Sequence, residues 1–397
     1  MPLYAATIFL SAFLLFLVQP VIARQILPWF GGSASVWAIC LVFFQSLLLA
    51  GYAYSDFLIR KLTAKRQLTV HVIMLSVSLL WLPIAPGDRW KPTGAEDPTV
   101  LILGLLLVTI GLPYLMLSTT SPLIQAWYWQ RYESKVPYRL FALSNFASLL
   151  ALLAYPALIE PWTPTRGQTW GWSALYVVFV GLCGATGWVS LKARTKAEKD
   201  KSDGVGNGVV GGAGNGAGNG VAADVPLASA PGPKQLALWL ALSAGGSCLL
   251  LAATNHITQN IAAVPFLWVA PLSLYLVTFI LAFDHPRWYV RPVFWTLLAL
   301  ALPAMAYYVN AHGLQLVGLY TGGMFVGCMF LHGELARAKP APQHLTTFYL
   351  MMSVGGALGS LLIGVVVPLT LPGYYELGIL LVLIACAGLA IVWREHW

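Results

Sequence analysis

Runs of about 20 apolar residues recur along almost the whole chain, and each is long enough for a helix to cross a lipid bilayer. Six fall between Tyr4 and Leu191 and six between Leu236 and Trp393. Inside hydrocarbon a backbone must satisfy its own polar groups, so such runs form helices rather than open strands. Charged residues make up only 9% of the chain and apolar ones 58%, where a soluble protein carries roughly 25% charge. The fold class expected is an all-α membrane protein with about twelve transmembrane helices in two six-helix halves.

The runs stop once, near mid-chain. Lys192 to Asp203 is a charged run, Gly204 to Gly220 is Gly/Asn/Ala/Val low complexity, and Pro231-Gly-Pro233 closes the stretch. Too few patterned apolar side chains are present to offset the ordering entropy, so a disordered linker is expected. The domains read as residues 1–191, a six-helix bundle; 192–234, the linker; and 235–397, a second six-helix bundle.

Charge bias orients the spans. With twelve crossings, eighteen of the 22 basic residues fall on the side that holds the linker, and only Arg24, Arg89, Lys91 and Arg166 fall on the other. Cytoplasmic loops carry such an excess, so the linker and both termini are expected in the cytoplasm. The same clustering in short loops accounts for the net charge of +8 and speaks against a nucleic-acid partner. The N-terminus lacks a basic segment before its apolar run, which reads as a first transmembrane helix and not a cleaved signal. All five cysteines lie in apolar spans without a CxxC pair, as packing residues do, and neither a metal nor a cofactor is expected.

All fourteen carboxylates fall at span ends or in loops. A deep proton relay is therefore not expected, and any coupling group must lie near a mouth of the bundle. The fifth span of each half carries small residues at four-residue spacing: Ser144, Ala147, Ser148, Ala151 in one and Gly355, Gly356, Gly359, Ser360 in the other. Aligned without gaps, Phe141 falls on Tyr349. Small faces allow helices to approach closely in lipid, and their matching places suggest a duplicated bundle.

Two groups of polar residues are candidates for function. Gln19, Arg24, Asn255, His256 and Gln259 lie at the ends of the first spans of the two halves, away from the linker. Polar groups in apolar sequence line a cavity, here a substrate vestibule, or cap turns. Pro20, Pro28 and Gly31-Gly32 suggest a broken connection there. His332, Glu334 and Arg337 lie at the linker-side end of the tenth span, as a gate, a docking surface, or a loop that pins two helices. His332 and Glu334 point apart on a continuous helix, whereas Glu334 and Arg337 are spaced to pair. Gly-x-Gly strings occur only in the linker with no strand before them, which gives no nucleotide fold, and the chain is not expected to be an enzyme.

Phe16-Leu-Val-Gln19-Pro20, Leu27-Pro-Trp-Phe-Gly31-Gly32-Ser33, Phe141-Ala-Leu-Ser-Asn145, Thr254-Asn-His256, His332-Gly-Glu334 and the Gly355–Gly359 helix occur in an order similar to the membrane half of bacterial major-facilitator/spermidine-synthase fusions. Gly51-x4-Asp56 and Arg60-Lys61 also resemble the major-facilitator loop signature. Asp56 stands one position late, Phe57 replaces an arginine and Ile59 a glycine. The resemblance implies a major-facilitator-like fold in a bacterial inner membrane, and a secondary transporter of a small polar solute that alternates access. Asp56 would then act at the linker-side gate. Relatives continue into a soluble aminopropyltransferase-like domain, whereas this chain stops at Trp397. The alternative is a membrane anchor for a separate soluble partner of that kind.

Overall fold

The computed structural model describes residues 1–31, 34–92, 98–132, 137–206, 230–260, 269–311, 313, 315–371, 373 and 375–396. Among them are twelve long helices. The first half holds α1 (Pro2–Phe30), α2 (Ala34–Lys61), α3 (Ala64–Ser78), α4 (Pro98–Tyr132), α5 (Pro137–Ala154, extended to Trp162) and α6 (Thr165–Gly206). The second holds α7 (Pro233–Asn260), α8 (Val269–Asp284), α9 (Arg291–Tyr307), α10 (Gln315–Arg337), α11 (Leu345–Leu361, extended to Thr370) and α12 (Glu376–His396). Nine are long and apolar enough to cross a membrane, and α8 and α12 are shorter apolar helices. α3 opens on the polar Ala64-Lys-Arg66 and continues through a 3₁₀ turn, Leu79–Trp81.

Two expected edges differ. α1 runs unbroken through Pro20 and Pro28 and ends at Gly31, whose φ of +79° suits a residue without a Cβ. α6 runs past Leu191 to Gly206, so residues 192–206 of the expected linker are helical. Lys, Ala, Glu and Arg dominate its early part, and all are strong helix formers. Residues 207–229 lie outside the described residues.

Three helices contain one π turn each: Leu107–Gly111 in α4, Tyr155–Ile159 in α5 and Leu362–Val366 in α11. Each begins six residues before a proline: Pro113, Pro161 and Pro368. A proline donates no hydrogen bond and its ring crowds the carbonyl four residues back. That carbonyl is the third residue of the π turn in all three cases. The wider turn absorbs the clash and lets the helix continue.

α5 packs along α1, and α11 along α7. The small faces do this work. A Cβ at Gly355 would lie 2.5 Å from the Leu240 carbonyl oxygen, and one at Gly359 would lie 2.6 Å from that of Ala244. On α5, Ala147 and Ala151 are fully buried. Each half has its own apolar core, and α5 lends Tyr138, Phe141 and Ala142 to the second. Hydroxyl pairs such as Tyr4–Ser190 at 2.6 Å and Thr7–Thr186 at 2.8 Å tie α1 to α6. Interhelical bonds of this kind contribute about 0.6 kcal/mol each in lipid. The halves meet along two seams, α2 with α11 and α5 with α8.

Candidate functional site

A set of hydrogen bonds, ring contacts and an ion pair joins the halves at the linker end of the seams. Asp56 comes near the end of α2, where the chain turns polar. Its carboxylate is buried against the first turn of α11. Thr346 Oγ1 and Thr347 Oγ1 donate to its Oδ1 at 2.8 and 3.1 Å, and Arg60 reaches its Oδ2 at 3.3 Å. A carboxylate there also meets the positive end of the α11 dipole. The second seam repeats the design in weaker form. Asp284 ends α8 and lies 3.6 Å from Arg139 in the first turn of α5. In the gapless alignment of α5 with α11, Arg139 falls on Thr347.

Between these two carboxylates the aligned residues Phe141 and Tyr349 stack, with ring centroids 4.9 Å apart and planes at 18°. Phe279 and Phe283 of α8 pack edge-on against Phe141 at 5.8 and 4.8 Å. The Tyr349 hydroxyl donates to Gln125 Oε1 of α4 at 2.7 Å, and Gln125 donates on to Ser121 at 2.9 Å. Tyr52 of α2 packs against the second core. Beneath the stack, Tyr138 donates to the Pro340 carbonyl at 2.6 Å, with Lys339 4.8 Å over its ring.

The His332-Gly-Glu334 motif braces this closure from inside the second half. α10 passes through Gly333 unbroken, so His332 and Glu334 face different neighbours, as their spacing predicts. His332 Nδ1 shares a 2.8 Å hydrogen bond with Thr278, and its ring stacks on Phe279 at 3.7 Å. A chain of rings thus runs from His332 through Phe279 and Phe141 to Tyr349. Gly333 lies so close to the Tyr289 ring that no side chain fits between them.

Glu334 does not pair with Arg337, contrary to the spacing argument. Tyr289 donates to it at 2.8 Å, and Arg291 of α9 grips both oxygens at 2.8 and 2.9 Å. The bidentate partner from another helix outcompetes the exposed Arg337 because burial strengthens a charge-assisted fork. With His332 and Glu334 buried, only Arg337 of this trio offers a surface to a partner.

At the opposite end the expected vestibule residues divide between the halves. Gln19 is half-buried on α1. Arg24 donates to the Glu160 carbonyl at 3.2 Å and lies 3.9 Å from its carboxylate, so it pins α1 to the end of α5. His256 is buried with its ring 4.3 Å from Tyr320 of α10. Asn255 is half-buried beside it, and the Gln259 side chain lies outside the described residues. These contacts do not bring Arg24 and His256 together. In the α2–α11 seam, beyond the stack, a crevice of about 230 Å³ separates Leu41, Gln45 and Leu49 from Val354, Leu358 and Leu361.

Sequence reasoning missed Phe141, Tyr349, Gln125, Arg139 and Asp284 as a gate. The alignment of the two fifth spans held the signal, since Phe141 and Tyr349 open it at matching places.

No family model matches the sequence, and no curated protein does. Solved structures match along nearly the whole length. A bacterial homologue of the iron transporter ferroportin, in an outward-facing state, is 14% identical with a TM-score of 0.60, covering 100% of this chain and 99% of its own. The proton:xylose symporter XylE of the major facilitator superfamily is 13% identical with a TM-score of 0.56, covering 97% of this chain and 94% of its own. At such identities the likeness is one of fold. Two six-helix halves joined along two seams, with spans long and apolar enough for a bilayer, make this chain a multi-pass helical membrane protein with the major-facilitator fold.

Proposed function

We propose that the chain is a secondary transporter of a small polar solute that works by alternating access, with one half rocking against the other. One observation carries the reading. The polar and aromatic bonds between the halves concentrate at the linker end, while the α2–α11 seam parts beyond them. Such a molecule is closed on one side and ready to open there once those bonds break. The fold shared with the two transporters supports the same reading.

In this proposal Gln19, Arg24, Asn255 and His256 face the solute path. Asp56 is the gate residue, with Phe141 and Tyr349 above it, and His332 and Glu334 hold its second half in place. Residues 1–191 and 235–397 act as the two moving bodies, joined through 192–234. The charge bias supports a linker and termini in the cytoplasm, so the state described would face outward. The order of the sequence motifs supports kinship with the membrane half of the major-facilitator/spermidine-synthase fusions and a bacterial inner-membrane location. A docking role for a soluble aminopropyltransferase-like partner draws on that resemblance alone, because His332 and Glu334 are buried.

Metabolite profiling of a deletion strain, followed by flux of the leading compound in proteoliposomes, tests the proposal. Saturable flux that vanishes when the linker-side gate is cross-linked is the expected result. Flux of no accumulated compound, or flux indifferent to that cross-link, overturns it.

A further inference from the structure

Away from the seams, the segment after α3 folds over the far end of α4 and leaves a hollow of about 400 Å³. Leu80, Trp81, Arg89 and Trp90 form its walls, with Val108 and Thr109 of the α4 π turn at its floor. The hollow joins two environments. Leu80 is 80% exposed and Val108 is 46% exposed, on the apolar flank that a membrane protein turns to acyl chains. Arg89 and Trp90 stand at the opposite end, on the loop at the membrane rim, where tryptophan indoles settle.

The polar end is arranged for an anion. The Arg89 guanidinium lies 5.7 Å over the Trp90 ring and forms no ion pair among the described residues. Asp88, the nearest acid along the chain, is taken by Lys91 at 2.8 Å. Lys91 itself lies 5.4 Å over the Trp29 ring. Glu96 and Asp97 of the same loop lie outside the described residues. Trp90 is seated on Gly104, where a Cβ would come within 3.0 Å of its ring, so this wall is fixed to α4.

We propose that this hollow binds one anionic phospholipid, with phosphate oxygens on Arg89 and an acyl chain along Leu80 and Val108. A guanidinium matches phosphate oxygens in geometry as well as charge. The occupant is a lipid because the trough below Arg89 continues onto the lipid-facing flank, which a free phosphate would not use. The inference rests on the membrane fold and is independent of the transported solute.

Native mass spectrometry of the full chain, stripped of lipid in detergent and titrated with phosphatidylglycerol or phosphatidylcholine, tests it. One phosphatidylglycerol is expected to be retained roughly fivefold better, the discrimination one basic side chain confers near a membrane surface. Arg89→Gln removes the preference, and Val108→Trp fills the trough and lowers retention of both lipids. Both positions are exposed, and unchanged unfolding temperatures without added lipid show that the variants are folded. Equal retention of the two lipids, or full retention in both variants, overturns the proposal. Displacement of the lipid by millimolar inorganic phosphate, with Val108→Trp silent, reassigns the site to the free anion and overturns it as well.

Discussion

Phe141 and Tyr349 occupy the same place in the two halves and stack on each other, 4.9 Å between ring centroids. A residue that meets its own repeat equivalent lies near the axis relating the halves. A stack on that axis is well placed to read their relative position, since any rocking of one half against the other separates the rings. An aromatic pair contributes about 0.5–1.5 kcal/mol beyond its buried area. That is enough to shift a conformational equilibrium by a factor of roughly 2 to 13.

Tyr349→Phe keeps the stack and removes the hydroxyl that donates to buried Gln125. An unpaired buried acceptor costs about 1–3 kcal/mol. Linker-side opening, read by spin-label distances across α2 and α11, is expected to become more populated. Tyr349→Ala should open it further. Distances identical to wild type in both variants would remove the stack from the gate.

The two seam carboxylates should behave unequally. Asp56 is buried, takes two hydroxyl bonds and faces a helix N-terminus. Arg139 is 70% exposed, so its pair with Asp284 falls among surface ion pairs worth about 0–1 kcal/mol. Asp56→Ala is expected to cut flux at least tenfold, and Arg139→Ala to leave it within a factor of two. Equal losses would mean that charge symmetry, and not burial, governs the gate.

Glu334 and Arg291 should govern stability more than transport. Removing one partner of a buried pair costs about 3–5 kcal/mol, and replacing both by apolar residues can be neutral. Arg291→Leu alone is expected to lower the unfolding temperature in detergent markedly, and the double variant Arg291→Leu with Glu334→Leu to restore most of it. A double variant no better than the single one would show that Glu334 is needed for more than pairing.

Gly359→Ala places a methyl group 2.6 Å from the Ala244 carbonyl oxygen, a backbone atom that cannot swing aside. Loss of folded protein after solubilisation is expected, since α7 and α11 must separate. Gly364→Ala on the same helix meets nothing within 4 Å and should be tolerated. Size-exclusion profiles of the two variants compare them directly.

The twelve helices, their orientation relative to the linker and the small faces of α5 and α11 were legible in the sequence. Helix length, charge bias and residue size act locally or along one helix, so a string of letters carries them. The three π turns were not legible, since Pro20, Pro28, Pro122 and Pro303 also lie inside helices yet follow no such turn. Nor was partner choice. Glu334 takes Arg291 over Arg337 because the start of α9 brings a guanidinium fork into a buried corner, and sequence spacing says nothing of that approach. Arg24 likewise reaches the Glu160 carbonyl at the far end of α5, a partner distant in sequence that spacing does not reveal. The meeting of Phe141 with Tyr349 depends on how two repeats are placed about an axis. Sequence fixes the contents of each repeat, and only packing between the halves decides which faces meet.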